Sequence, residues 1–148
     1  MNFSNYYIIT EPIARNLKML GCDLPCYFCY DGGGNRISLS EELSKGLNYN
    51  SIIFKGCCSA PYRVTVMDWI KNLYSMNLET FLDEEKEGEW RYRIEFNDEI
   101  KDKLKREANS KMIIYESKRL AELAGIEHMI EIIFNYFWEI KFNKNEVL

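Results

Sequence analysis

The stretch Trp90–Phe96, WRYRIEF, decides the fold of the second half of this chain, because apolar and charged side chains alternate along it. A period of two predicts a β-strand that is buried on one face only. The apolar positions are Trp90, Tyr92, Ile94 and Phe96. The same period begins at Leu78, so we expect a hairpin whose turn lies at Lys86-Glu87-Gly88.

Two helices are predicted in the first half of the chain. Thr10 is a typical helix cap, Pro12 suits the first turn, and Gly21 lies where the helix would end. A second helix is expected from Ala60-Pro61 to about Ser75. The apolar positions at helical spacing are Ile13, Ala14, Leu17 and Leu20 in the first helix and Val66, Trp69, Ile70 and Leu73 in the second.

A third, longer helix is expected near the end of the sequence. Ser117 is positioned to cap it. Gly125 lies within it, where a glycine costs about 1 kcal/mol relative to alanine, so we expect a neighbouring element to pack closely there. The broad apolar face comprises Leu120, Ala124, Ile126, Ile130, Ile133 and Phe137.

Short strands are expected between the helices. Cys26–Tyr30 is aromatic and apolar, residues 31–35 (DGGGN) have the composition of a turn, and Arg36–Leu39 follows as the return strand. Ser51–Lys55 and Met112–Tyr115 are further strand candidates. Together these elements predict an α+β fold, with a small mixed or antiparallel sheet whose hairpins pack against two or three helices.

The organisation of the chain is predicted to be a single domain over residues 1–148, because no linker, repeat or low-complexity segment is visible. A chain of this size buries roughly 70% of its unfolded surface without a disulfide framework. The charged segment 97–111 is expected to be an exposed helix or a connection.

Composition and charge exclude several classes of function. The 23 acidic and 19 basic side chains form no basic stripe, so nucleic acid is not an expected partner. No basic leader and no run of eighteen apolar residues is present, so we expect a cytoplasmic protein that does not bind a membrane. Five cysteines without the spacing of a secreted scaffold are expected to be free thiols. An aromatic share of 14% favours a partner or subunit surface.

Three cysteines have a spacing that would name a cofactor. Cys22, Cys26 and Cys29 match the loop that holds the four-iron cluster of radical S-adenosylmethionine enzymes. That loop follows the first strand of a large parallel barrel, whereas a capped helix precedes it here. If Cys26–Tyr30 is a strand, Cys26 and Cys29 point to opposite faces and cannot share a metal. We therefore favour buried free thiols, with an iron–sulfur cluster or zinc as the alternative.

Four other features have a functional and a structural interpretation. Gly32-Gly33-Gly34 could wrap a phosphate, but the strand that follows favours a hairpin turn. His128, the only histidine, is expected at a surface or boundary rather than as a general base. The acidic run 83–89 could mimic the phosphate spacing of a nucleic acid toward an enzyme, but a solvated hairpin tip is favoured. Arg91 and Arg93 could bind an anion, but a cross-strand ion pair with Glu79 is the default.

Three stretches carry a resemblance to a family. They are Ile13–Gly21 (IARNLKMLG) continuing through Pro25-Cys26-Tyr27 to Asp31-Gly32, Ala60-Pro61 followed by Asp68-Trp69-Ile70, and Tyr115-Glu116-Ser117 followed by Ala121 and Gly125-Ile126. Together they resemble small hypothetical proteins encoded by phages and mobile elements of gut bacteria, mostly Bacteroidetes. The resemblance implies a mobile-element origin and a compact α+β fold. It supplies no catalytic residue, and of the three spaced cysteines it matches Cys26 alone.

Two classes of function follow from these observations. The first is a non-enzymatic protein-binding module, which acts for a phage or mobile element by engaging a host protein or by forming a homo-oligomer. The candidate interaction residues are Trp90 and Tyr92 on the sheet and Tyr136, Phe137 and Trp138 on the last helix. The alternatives are a metal- or iron–sulfur-binding protein built on Cys22, Cys26 and Cys29, and a sponge for a small ligand or nucleotide.

Overall fold

The chain forms two compact units, Met1–Val66 and Met67–Leu148. A computed structural model describes residues 7–38, 46–51, 55–82, 88–96, 105–106, 108 and 113–145, with side chains of the last helix described as far as Tyr136. The first unit contains a helix and a three-stranded antiparallel sheet, and the second contains a two-stranded hairpin and the long C-terminal helix. The predicted α+β fold class is therefore confirmed. The single domain expected over 1–148 stays a prediction.

Helix α1 spans Glu11–Met19 and ends at the glycine that the sequence indicated. Gly21 adopts φ +78°, a left-handed conformation that favours glycine. The Gly21 N–H donates to the Lys18 carbonyl, and the Cys22 N–H donates to the Leu17 carbonyl, each at a distance of 3.0 Å. This is a Schellman motif, which satisfies two of the last carbonyls of the helix. The buried positions are Ile13, Ala14 and Leu17.

The sheet of the first unit has the order β2-β1-β3. Strand β1 (Phe28–Tyr30) pairs with β2 (Arg36–Ser38) in the predicted hairpin and with β3 (Cys58–Ser59) on its other side. The sequence did not indicate β3, because a strand of two residues is too short to show a period.

The turn of the first hairpin is built by one aspartate. The Asp31 Oδ1 atom accepts hydrogen bonds from the N–H groups of Gly33 at 2.9 Å and Asn35 at 2.8 Å, and Gly34 takes φ +82°. A Cβ atom at Gly34 would also come 3.2 Å from the Glu11 carboxylate carbon. The glycine run thus serves the hairpin, as predicted, instead of a phosphate cradle.

Helix α2 spans Arg63–Tyr74, and the division between the two units falls within it. Val66, Trp69 and Ile70 are buried as predicted, but Leu73 is 55% exposed. Tyr74 is buried in its place, and its ring packs edge-on against Trp69 with centroids 6.0 Å apart. The prediction for Leu73 was wrong because the last turn of the helix buries the aromatic residue beside it.

The second unit is organised around the hairpin of β4 (Met76–Leu82) and β5 (Trp90–Phe96). The strands pair over their full length, from Met76 opposite Phe96 to Leu82 opposite Trp90. Tyr92 and Ile94 are buried, which confirms the alternation predicted from the sequence. Of the predicted strand Met112–Tyr115, the described part pairs only through Tyr115, which exchanges two backbone hydrogen bonds of 2.8 Å with Trp90.

Helix α3 spans Lys118–Asn145 and packs against both strands of this hairpin. The Ser117 Oγ atom accepts a hydrogen bond from the Leu120 N–H at 3.2 Å, so the predicted cap is confirmed. Leu120 itself is 41% exposed, contrary to expectation, because it lies in the first turn. The buried apolar positions of the helix include Ala121, Leu123, Ile126, Met129, Ile130, Ile132 and Ile133.

Gly125 shows the close packing that its position in the helix predicted. A Cβ atom at this site would overlap the Leu78 side chain of β4, with its Cδ2 atom at 2.8 Å. The missing side chain therefore lets α3 approach the hairpin more closely than alanine would allow.

Several predicted features lie outside the residues that the structure describes. They are the hairpin tip at 83–87, the centre of the predicted strand at 52–54, most of the charged segment 97–111 and the side chains of Phe137 and Trp138. Among the helices that are described, none combines the length and the apolar character needed to cross a membrane.

Candidate functional site

The five cysteines all lie in the first unit, and four of them are buried. Cys22, Cys26 and Cys29 expose at most 5% of their surface. Cys58 is also fully enclosed, whereas Cys57 is partly accessible. Sequence reasoning predicted buried free thiols, and burial is confirmed for all of them except Cys57.

The orientation predicted for two of these thiols was wrong. Cys26 and Cys29 belong to one apolar cluster with Tyr49 instead of pointing to opposite faces. The reason is that β1 begins only at Phe28, so Cys26 precedes the strand and a bend at Tyr27 turns its side chain inward. The Cys26 Sγ atom donates to the Phe28 carbonyl at 3.0 Å.

Burial makes these thiols weak ligands and weak nucleophiles. Desolvation raises the pKa of Cys22 and Cys29 to about 11, and it also raises the pKa of Cys26 and Cys58. The thiolate is the form that binds metals and attacks electrophiles. Within the described part of the chain, no group of three or more His, Cys, Asp or Glu side chains is placed to hold a metal ion. An iron–sulfur or zinc site at Cys22, Cys26 and Cys29 therefore gains no support from the geometry.

The segments around the buried cysteines, which we call the thiol region, are held together by side chains that form hydrogen bonds with the backbone. The Asn50 side chain accepts from the Ser59 N–H and donates to the Cys22 carbonyl, each at 2.9 Å. The Ser59 Oγ atom accepts from the Tyr49 N–H at 2.9 Å. These bonds satisfy buried backbone groups that the short strands leave unpaired.

Arg15 connects helix α1 to the loops beside the sheet. Its guanidinium pairs with Glu11 at 2.9 Å and donates to the Asp31 carbonyl at 2.7 Å and the Gly56 carbonyl at 3.5 Å. Lys18, one turn further along the same helix, donates to the Cys57 carbonyl. Two cations of α1 are thus used to position backbone carbonyls.

An aromatic groove lies on the first unit. Its cavity volume is about 180 Å³, and its walls include Pro25, Tyr27, Phe28, Pro61, Tyr62 and Thr65. Tyr27 is 43% and Tyr62 is 37% exposed, while the Phe28 ring meets Tyr62 edge-on with centroids 6.3 Å apart. This feature, which we call the tyrosine groove, presents two tyrosine rings and Pro25 to solvent, whereas Pro61 is buried.

Sequence reasoning missed the tyrosine groove because its two walls are far apart in the chain. They meet where β1 pairs with β3, and the Ala60 N–H donates to the Phe28 carbonyl at 2.9 Å. That pairing sets Pro61 and Tyr62 beside Phe28. The available signal was the Ala60-Pro61-Tyr62 sequence, which was interpreted only as a helix start.

The second unit contains a buried polar contact. The Tyr92 hydroxyl and the His128 Nδ1 atom are 2.9 Å apart, and their rings meet edge-on with centroids 5.8 Å apart. His128 is only 4% exposed, so the predicted surface or boundary position was wrong. Helix α3 turns this residue toward the hairpin, where the phenol satisfies it.

Tyr92 is held in an apolar environment that keeps its hydroxyl protonated. Burial raises its pKa, and the nearby Tyr115 phenol adds to the effect. The Tyr92 and Tyr115 ring centroids are 6.0 Å apart. Because Tyr92 is 8% exposed and His128 less, the contact acts as a structural link between β5 and α3.

The other predicted interaction residues are distributed unevenly. Trp90 and Tyr136 are half-buried, and Tyr92 faces the interior of the unit and offers little surface to a partner. The side chains of Phe137 and Trp138 are not among those described. Exposed apolar residues that sequence reasoning did not select occur nearby in the chain, at Phe81, Leu82, Ile113 and Ile114.

The opposite face of the hairpin is polar and paired. Arg93 lies directly across from Glu79 and donates to its carboxylate at 2.7 Å, so the predicted cross-strand pair is confirmed. Arg93 also pairs with Glu95 at 3.1 Å. Its guanidinium further stacks over the Phe81 ring, 5.7 Å from the centroid. These contacts favour a structural role over anion binding.

Comparison of the chain with protein-family models, with curated proteins and with solved structures finds no match. The described residue set offers two features of note, the tyrosine groove and the thiol region behind it.

Proposed function

We propose that this protein is a non-enzymatic binding module of a phage or mobile element, which engages a host protein through the tyrosine groove. The observation that carries the proposal is the exposure of two tyrosines beside two prolines in a concave surface. Tyrosine is enriched among residues that dominate binding energy, because it offers a rigid apolar ring with a polar tip.

The size of the groove favours a short segment of a partner over a second copy of this chain. A cavity of about 180 Å³ accepts one or two side chains. A stable protein interface, in contrast, buries roughly 1,600 Å² in total. Grooves lined by aromatic side chains are typical binding sites for extended, proline-containing peptides. We therefore infer that the partner presents an extended apolar segment.

The described chemistry also favours binding over catalysis. The thiols that could act as nucleophiles are mostly buried and protonated, and the His128 imidazole is enclosed with a phenol. The resemblance to mobile-element proteins of Bacteroidetes suggests that the partner belongs to the host cytoplasm. Self-association is the alternative form of the same proposal.

The test is affinity capture from a Bacteroidetes host lysate, combined with size-exclusion chromatography and light scattering. Tyr27→Ala and Tyr62→Ala should abolish capture of a protein that the wild type retains. Val64→Ala is the matched control, because Val64, two residues after Tyr62 in the sequence, is 63% exposed but does not line the groove.

The outcomes separate the alternatives clearly. A captured protein that Val64→Ala retains and both tyrosine variants lose would support the proposal. A dimer that the tyrosine variants dissociate would favour self-association. A monomer that captures nothing, or a protein that all variants retain equally, would contradict binding at this groove.

A further inference from the structure

Two cysteines from different strands of the first unit lie on one face of its sheet. Cys29 of β1 is directly opposite Ser59 of β3. Cys57 lies one residue before β3, but the two chains stay adjacent beyond it, since a Cβ atom at Gly32 would come 3.9 Å from the Gly56 carbonyl oxygen. This contact continues the register of the strand pair, so Cys57, two residues before Ser59, lies on the same face as Ser59. Cys29 and Cys57 are therefore diagonal neighbours across the strand pair.

The placement of the two thiols is consistent with the electrostatics of Cys29. Burial raises the pKa of Cys29 to about 11, and the neighbouring Cys57 side chain adds to this effect. Cys58, which is adjacent in sequence, faces the other side of the sheet, where the charges of Arg15 and Lys18 act on its thiol. The two vicinal cysteines thus have different environments.

Cys57 and Cys29 differ in their exposure to solvent, and this difference gives them different roles. Cys57 is the one partly exposed cysteine of the five, and it follows the exposed turn at Lys55 and Gly56. Cys29 is 3% exposed and protonated. An oxidant from solvent therefore reaches Cys57 first, and Cys29 lies behind it as the thiol that completes the reaction.

We propose that Cys29 and Cys57 form a peroxide-sensitive dithiol, which closes reversibly to a disulfide between β1 and the residue preceding β3. Diagonal neighbours start roughly 7–8 Å apart between Cα atoms, and a disulfide prefers about 5.5–6 Å. Closing the bond thus draws Cys57, which lies outside the strand ladder, toward β1.

The chemistry consumes one hydrogen peroxide per disulfide. The Cys57 thiolate attacks one peroxide oxygen, the O–O bond breaks, and the departing hydroxide takes up a proton as water, which leaves a sulfenic acid. The Cys29 sulfur then attacks the Cys57 sulfur. The S–O bond breaks, the S–S bond forms, and the oxygen leaves as a second water with the Cys29 proton. Two thiols are oxidised by two electrons, and the peroxide is reduced.

The experiment is peptide mapping by mass spectrometry after treatment of the folded, reduced protein with hydrogen peroxide and alkylation of the remaining thiols. We expect one crosslink, between the peptides of Cys29 and Cys57, that a dithiol reductant removes. Cys57→Ser should abolish the crosslink and leave Cys29 reduced. Cys29→Ser should accumulate oxidised Cys57 without a crosslink.

Cys58→Ser is the matched control, because it removes the neighbouring thiol but keeps the proposed pair, so the crosslink should persist. Mapping of the wild type needs no variant and stands even if a substitution disturbs folding. A crosslink between Cys57 and Cys58 or between Cys26 and Cys29 would overturn the proposal. So would oxidation of Cys57 in the wild type that stops before a disulfide, or a lack of any reaction when the unfolded chain reacts under the same conditions.

Discussion

The two units of this chain build their interiors by different means. The first unit has strands of two or three residues and encloses four of the five cysteines, and it relies on side chains such as Asn50 and Arg15 that bond to backbone groups. The second unit pairs two seven-residue strands and covers them with a 28-residue helix. Long periodic elements bury surface by repetition, whereas short ones need individual polar bonds to satisfy their backbone.

The same division supplies a separate probe for each unit. All three tryptophans, at positions 69, 90 and 138, lie in the second unit, and all five cysteines lie in the first. Tryptophan fluorescence therefore follows the unfolding of the second unit. The rate at which a thiol reagent modifies the four buried cysteines follows the opening of the first.

The largest expected effect is on the packing of α3 against its hairpin. Ile133 is fully buried, so Ile133→Ala should lower the free energy of unfolding by about 2–5 kcal/mol. Phe134→Ala is the matched control, because the neighbouring ring is 42% exposed and should change stability far less. Denaturant unfolding followed by tryptophan fluorescence measures both. Equal losses for the two variants would contradict the packing described here.

The next effect concerns the buried polar contact of the second unit. Tyr92→Phe removes the hydroxyl that meets the His128 Nδ1 atom, and we expect a loss of about 1–3 kcal/mol in the free energy of unfolding, because a hydrogen bond between two buried side chains is lost. The double variant Tyr92→Phe/His128→Leu should lose less stability than the two single variants lose together. Strictly additive losses, measured by the same fluorescence transition, would show that the two side chains are not coupled.

The sequence was a good guide wherever an element was long enough to repeat its pattern. WRYRIEF predicted β5 and its buried face, Ser117 predicted the start of α3, and Gly21 predicted the end of α1. It failed at Leu73 and at His128, because burial there is decided by which neighbour the helix meets in space.

The candidate site was less predictable than the fold. The tyrosine groove and the pair Cys29 and Cys57 both depend on the pairing of β1 with β3, two segments nearly thirty residues apart. A strand as short as β3 carries no periodic signal, so neither feature could be derived from spacing. The motif that did stand out comprises Cys22, Cys26 and Cys29. Their thiols lie in an apolar interior and not around a common metal position.

A smaller effect is expected at the close approach of α3 to β4. Gly125→Ala gains about 1 kcal/mol of helix propensity, but its Cβ atom would overlap the buried Leu78 side chain, and overpacking costs about 1–3 kcal/mol. We expect Gly125→Ala to lower the stability of the wild type but to raise the stability of the Leu78→Ala variant, where the space is open. A double-mutant cycle followed by fluorescence measures this coupling. If Gly125→Ala had the same effect in both backgrounds, close packing would not explain this glycine.

The last prediction returns to the first unit and uses pH to separate it from the second. Burial raises the pKa of Cys22 and Cys29 to about 11, whereas an unfolded thiol titrates near about 8.5. Between these values the unfolded chain has lost protons that the folded chain retains, so stability is fully present below about pH 8.5 and falls as pH rises toward about 11.

Thiol modification should therefore accelerate with pH by more than the thiolate fraction of an unfolded control explains. The comparison is best kept below about pH 9.5, where ordinary phenols are still protonated and the tryptophan signal of the second unit should stay constant. Cys22→Ala should reduce the pH dependence, because it removes one of the four buried thiols whose pKa is raised. A stability that does not change between about pH 8 and 9.5 would mean that these thiols are not enclosed in the apolar interior that distinguishes the first unit.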